Sequence, residues 1–239
     1  MFYDKTMRDF RELWPGGPLY KGDGVSGDSL ALADFAMSVP GTRACDLGCG
    51  SGILLLLLAW QRPELTLYGV ELRPAAAEEC RRNAAANGLS ERIAVADGDL
   101  RAAPFPAGSM DLVIANPPYF PRGRGAVSPD SDRAAMRTES ATVWELGAAA
   151  ATLLRPEGTF ALVHRTERMA EVFAALAAAG LEPKRLRLMA GDPGTAPELF
   201  LCEARLHAPP GLSAEPTLCQ RGPDGAETEE YRKICHWEA

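Results

Sequence analysis

The sequence contains no apolar run long enough to cross a bilayer: the longest, Ile53–Trp60, falls far short of the ~20 residues a spanning helix requires. Behind the charged stretch Met1–Arg11 there is no apolar segment of the kind an export signal carries, so no membrane contact and a cytoplasmic setting are expected. Paired cysteines are lacking too. Cys45, Cys49, Cys80, Cys202, Cys219 and Cys235 show no Cys-x-x-Cys spacing, and the three histidines, His164, His207 and His236, stand in unrelated contexts. That pattern speaks against a disulfide framework and a structural zinc site, and for a reducing compartment. An excess of positive charge is also absent. The net charge of -7 argues against a protein that coats nucleic acid, although a local basic patch would serve an enzyme that visits one.

What is present is an ordinary globular composition, with 46% apolar and 24% charged residues. Its length of 239 residues suits one domain with appendages. From Thr42 onward apolar runs alternate with alanine-rich helical stretches, the βαβ pattern of a parallel sheet covered on both faces. Strands are expected at Arg43–Leu47, Leu65–Glu71, Arg92–Ala96, Asp111–Ala115, Thr159–His164, Arg185–Met189 and Leu199–Leu206. Helices are expected at Ile53–Gln61, Ala75–Asn87, Ser140–Leu154 and Arg168–Ala179, with glycine stops at Gly88 and Gly180. The segment joining the last two strands is too short for a crossover helix, so those strands should be antiparallel neighbours. The expected fold is therefore α/β, a mostly parallel sheet of seven strands with an antiparallel last strand and helices on both faces. Residues 1–41 read as an amino-terminal lid with a helix at Asp28–Met37, residues 42–207 as the core, and residues 208–239 as an extension with a hairpin about Pro223-Asp224-Gly225 and a short helix from Thr228.

Asp46-Leu47-Gly48-Cys49-Gly50-Ser51-Gly52 follows the first core strand and opens a helix, where glycines let a ligand approach the backbone. The Gly-x-Gly-x-Gly spacing differs from that of dinucleotide sites, and no lysine follows to grip phosphate. A cationic, phosphate-free ligand fits better, and S-adenosylmethionine, with its ammonium and sulfonium, is one that Asp46 would complement. Glu71, closing the next strand, stands where a carboxylate would accept ribose hydroxyls. In the acidic turn after the third strand, Asp99, with Asp97 as second choice, stands where a side chain would accept from an adenine amino group.

The fourth strand runs into Asn116-Pro117-Pro118-Tyr119-Phe120. Two prolines stiffen the turn and remove donors, leaving the Asn116 side-chain oxygen and a prolyl carbonyl to accept from an NH2 group. An amino nitrogen conjugated to a ring or carbonyl is a poor nucleophile, and acceptors drawing on both of its hydrogens favour the pyramidal nitrogen that attacks a methyl group. Tyr119 offers a face on which a flipped base would stack.

On these motifs the chain resembles the class I, Rossmann-like methyltransferases with the Asn-Pro-Pro-Tyr signature. More narrowly, it is similar to the tRNA (adenine-N6)-methyltransferases that act on valine tRNA next to the anticodon. The narrower likeness rests on Gly27-Asp28-Ser29-Leu30-Ala31-Leu32, on Asn116–Phe120 with the Arg-bearing loop behind it, and on the tail Glu227-Thr228-Glu229-Glu230-Tyr231. The resemblance implies S-adenosyl-L-methionine as cofactor, S-adenosyl-L-homocysteine as product, no metal, and RNA, above all tRNA, as partner. It implies a cofactor site of Asp46, Gly48, Cys49, Gly50, Gly52, Glu71, Leu72, Asp99, Leu100 and Asn116. Catalysis would fall to Asn116, Pro117, Pro118 and Tyr119, and substrate contact to Tyr119, Phe120, Arg122, Arg124, Arg133 and Arg137.

Two other readings stand beside it. A protein glutamine N5-methyltransferase presents the same amide geometry to Asn116, but only a short segment ahead of Thr42 is available to dock a protein. A non-catalytic cofactor-binding module is the other, against which the intact Asn116–Tyr119 motif argues. His164, inside an apolar strand, reads as a core histidine, and Cys45 and Cys49 as packing residues.

Overall fold

The computed structural model describes residues 11–13, 16–22, 25–118 and 141–236. The expected substrate residues Tyr119, Phe120, Arg122, Arg124, Arg133 and Arg137 lie outside them. A small antiparallel pair, β1 (Arg11–Glu12) and β2 (Leu19–Tyr20), comes first, then α1 (Gly27–Ala36). The core follows as β3 (Arg43–Leu47), α2 (Ile53–Gln61), β4 (Thr66–Glu71), α3 (Pro74–Ala86), β5 (Ile93–Asp97) and β6 (Met110–Ala115). After the loop come α4 (Val143–Leu153), β7 (Leu154–Arg165), α5 (Met169–Ala178), β8 (Leu181–Ala190), β9 (Leu199–Leu206), β10 (Ser213–Cys219) and α6 (Glu229–His236).

One eight-stranded sheet, in the order β10-β8-β9-β7-β6-β3-β4-β5, carries the fold. Every pairing in it is parallel except those of β9, which runs antiparallel between β7 and β8. The sequence reading counts seven strands; the eighth is β10, which adds to the edge beside β8. Its stretch Ser213–Cys219 has proline at its centre and mostly exposed side chains, a pattern that edge strands tolerate and that gives little periodic signal.

Local chemistry accounts for the element ends. Gly88, at φ +68°, closes α3 in a Schellman arrangement, the Leu89 N–H reaching the Ala84 carbonyl and the Gly88 N–H that of Ala85. Helix α4 starts later than the sequence suggests because Thr142 and Glu145 form a reciprocal capping box: the Thr142 side chain accepts from Glu145 N, and the Glu145 carboxylate from Thr142 N at 2.8 Å. Helix α2 is apolar all round through its middle because that stretch is enclosed, with Leu54–Ala59 buried between the sheet and α1 while Trp60 and Gln61 at its end are exposed. Truncating one of these leucines, for instance Leu57→Ala, would cost about 2–5 kcal/mol. Helices α1, α2, α3 and α6 share one apolar core on one side of the sheet, and α4 and α5 form the other. Among the described residues no helix is long and apolar enough to cross a membrane.

Candidate active site

Chain order leaves β3 in two directions, toward β4 and β5 on one side and toward β6 on the other, so the strand ends part between β3 and β6. In open α/β sheets such a switch point is where a ligand is bound. Asp46 pairs in register with Ile114, which brings the end of β3 level with Asn116 at the exit of β6. Glu71 ends the next strand, opposite Asp97.

Asp46 is 1% exposed, and its Oδ1 is buried without a hydrogen-bond partner. A buried, unpartnered acceptor costs about 1–3 kcal/mol unless something supplies the missing donor. Burial, reinforced by the negative charge of Glu71, pushes the Asp46 carboxyl up to about 8. An ammonium group brought to this carboxylate would remove both penalties. The turn that follows is built to let a ligand in. Gly48 and Gly50 take φ of +83° and +54°, and a Cβ on either would meet nothing within 4 Å. Gly52 differs: at φ +90° it opens α2, and a Cβ there would stand 2.3 Å from Cys80 Sγ. Its smallness serves the packing of α2 on α3. The Cys49 thiol is likewise turned inward beside Gly69 and Cys80, and the Cys49 N–H is taken by the Val70 carbonyl at 3.1 Å.

Glu71 holds the turn from the other side. Its Oε2 accepts from Gly50 N at 2.8 Å, and its Oε1 accepts from the N and Nε of Arg73 at 2.9 and 3.1 Å. Leu72, the residue after Glu71, is 49% exposed, and Leu100 is half-buried in the turn after β5. Asp99, read from sequence as an adenine acceptor, is committed to Arg101: both carboxylate oxygens accept from its guanidinium, and Oδ1 also accepts its N–H at 2.9 Å. Those bonds hold its carboxyl below the usual range. Asp97 is engaged by Arg81 at 2.6 Å. An adenine amino group would meet either carboxylate only in competition with an arginine.

Asn116, Pro117 and Pro118 are half-buried at the strand exit. The Asn116 Nδ2 donates to Ser29 Oγ at 3.0 Å, so the amide turns its nitrogen toward α1. Three residues that matter here carry only faint sequence signals. Ser29 lies inside a matched motif without an assigned role. Asn83 within α3 and Asn87 at its C-cap are poor helix formers one turn apart, and that spacing is their only mark. Fully buried Asn83 accepts from Lys21 N at 2.8 Å and donates to the carbonyls of Lys21 and Ser51 at 2.7 and 2.8 Å. It thereby ties the strap 16–22 to the glycine turn, a link reinforced by the 2.7 Å contact between the hydroxyls of Tyr20 and Ser51.

The sheet order, the acid-led glycine turn and the Asn-Pro-Pro exit define a Rossmann-like, S-adenosyl-L-methionine-dependent methyltransferase, with S-adenosyl-L-homocysteine as the spent cofactor. Residues 25–179 match the methyltransferase small domain family. A protein of Tolumonas auensis named tRNA1(Val) (adenine(37)-N6)-methyltransferase is 34% identical over 209 residues, covering 87% of this chain and 86% of its own. A Porphyromonas gingivalis protein of the same name is 34% identical over 188 residues, covering 77% and 72%. The crystal structure of a predicted O-methyltransferase from Agrobacterium tumefaciens superimposes with a TM-score of 0.72 at 21% identity, covering 87% of this chain and 95% of its own, a likeness of fold. The chain belongs to the methyltransferase small domain family and, within it, to the group that these curated relatives represent.

Proposed function

We propose that the protein methylates the exocyclic N6 of an adenine in tRNA, in the anticodon-loop region. The observation that carries this reading is the placement of Asn116 and Pro117 at the switch point, just past Ile114, the register partner of the buried Asp46. The names borne by the curated relatives support the same substrate. The cofactor supplies an electrophilic methyl group on a sulfonium centre. Asp46 and the Gly48–Gly52 turn would hold its amino-acid end, while Glu71, Leu72 and Leu100 would line its nucleoside. The Asn116 side-chain oxygen and the Pro117 carbonyl would accept the two N–H groups of the adenine, pulling its nitrogen out of conjugation so that the lone pair points at the methyl. Once methylated from the sulfonium, which would leave as a neutral thioether, the nitrogen would give up one proton to water. Tyr119 and Phe120 are assigned to the face of the flipped base, and Arg122, Arg124, Arg133 and Arg137 to the phosphates around it. A cytoplasmic location accords with a tRNA substrate.

The test offers cofactor with a labelled methyl group to bulk tRNA and, separately, to a release-factor protein. Label recovered as N6-methyladenosine after tRNA digestion is the expected result. Label on the protein alone, or on tRNA at another nucleoside, would overturn the substrate while leaving the methyltransferase in place.

A further inference from the structure

We propose that Ser29 is a positioning residue that sets which way the Asn116 amide faces, so that helix α1 takes part in the methyl transfer. The inference rests on the reading of Asn116 as the group that grips the target nitrogen.

An asparagine amide has two nearly isosteric orientations, related by a half-turn about its last torsion. Only one presents Oδ1 to an incoming NH2; the other sets donor against donor. Selecting between them requires a neighbour that tells oxygen from nitrogen. Ser29 is that neighbour. Its Oγ lies 3.0 Å from Asn116 Nδ2 and accepts from it, which leaves Oδ1 on the side away from α1. Ser29 is 6% exposed, and its hydroxyl stands 3.1 Å from that of Ser26. A Ser29 hydroxyl that donates its proton to Ser26 keeps only lone pairs for the Asn116 amide, and that direction, Asn116→Ser29→Ser26, is the one we assign to the pair.

Neither serine spends its hydroxyl on capping the helix: Ser26 is the N-cap of α1 yet makes no side-chain cap hydrogen bond. Two linked hydroxyls withheld from capping at a helix start, one of them joined instead to Asn116 just past β6, are better explained by that amide than by the helix. The helix start is itself seated firmly. Gly27 lies so close to the Tyr231 hydroxyl of α6 that a Cβ on it would stand 2.1 Å away. Ser29 N additionally donates to the Asp28 carboxylate at 2.9 Å. Ser29 is thus a fixed acceptor on a helix clamped from the far side.

The test compares Ser29→Ala, Ser29→Thr and Asn116→Ala in the full chain, by steady-state turnover on tRNA, cofactor affinity by calorimetry and thermal melting. Ser29→Ala is expected to lower kcat by about tenfold to a hundredfold, the scale of a misoriented reacting group, with KM, cofactor Kd and Tm near wild type. Ser29→Thr, which keeps the hydroxyl, should recover most of the turnover. Wild-type kcat in Ser29→Ala would overturn the proposal, as would a kcat loss that Ser29→Thr fails to recover or that comes with weaker cofactor binding and a lower Tm. Asn116→Ala separates the two readings. If it keeps normal turnover, the role given to Asn116 fails and that of Ser29 with it; if it falls about 10²–10³-fold while Ser29→Ala does not, only the role of Ser29 fails.

Discussion

Asn87 pairs with Leu19 as one strand residue pairs with another: its Oδ1 accepts the Leu19 N–H at 2.8 Å and its Nδ2 donates to the Leu19 carbonyl at 2.7 Å. Two residues along the strap and one turn earlier on α3, Asn83 repeats the exchange with Lys21. Side-chain amides one turn apart at the end of a helix therefore imitate a β-ladder, satisfying the backbone of an extended segment that has no strand on that side among the described residues.

The clamp predicts that Asn83→Ala will strand buried backbone groups on both the strap and the glycine turn. A loss of about 1–3 kcal/mol in stability is expected, together with faster amide exchange at Lys21 and Gly22. Thermal melting and hydrogen exchange would read it. Unaltered exchange along the strap would mean that Asn83 does not hold it.

Asp46 predicts a proton-linked cofactor affinity. Its carboxyl, raised to about 8 by burial and by Glu71, keeps its proton at neutral pH in the free protein. Pairing with the ammonium of the cofactor favours the ionised form, so binding should release a proton, and affinity should rise by about tenfold per pH unit between pH 6 and 8. Calorimetry in buffers of different ionisation enthalpy measures the released proton directly. A pH-independent Kd with buffer-independent heats would refute the linkage.

The same carboxyl sets a stability cost. Because its folded-state pKa lies above the unfolded value, its contribution is present at low pH and is lost as pH rises toward and through about 8. Asp46→Asn, which has no charge to bury, should melt with wild type near pH 3, gain on it as pH rises from about 4 to about 8, and stay above it at pH 9, yet bind cofactor at least tenfold more weakly. A variant less stable than wild type at pH 9 would contradict this account.

Much of this architecture could be read in the sequence where local chemistry is periodic or punctuated. Arg43–Leu47, Ile53–Gln61 and Leu199–Leu206 are found at the expected bounds, because an apolar run and a turn residue delimit each. The antiparallel placement of β8 and β9 followed from a connection too short for a helix. Strand β10 was not legible, since an exposed edge strand with proline at its centre has neither a buried face nor an alternating pattern. At the site, Asp46 and Glu71 are legible because strand ends beside a glycine turn are informative by position. Asp99 was legible only as an acid in a turn; its pairing with Arg101 depends on how the next two residues fold back into a 3₁₀ turn. Ser29, Asn83 and Asn87 depend on which segments cross in space, and no local pattern announces that.

The contact of Gly27 with Tyr231 has a consequence for synthesis. The ribosome makes α1 before any strand of the main sheet, yet the residue that seats its first turn belongs to α6, which emerges after β10. The nascent chain therefore possesses its glycine turn and its Asn-Pro-Pro exit well before α1 is pressed into place. Competence for methyl transfer would therefore wait on α6 rather than on the strands that carry the site.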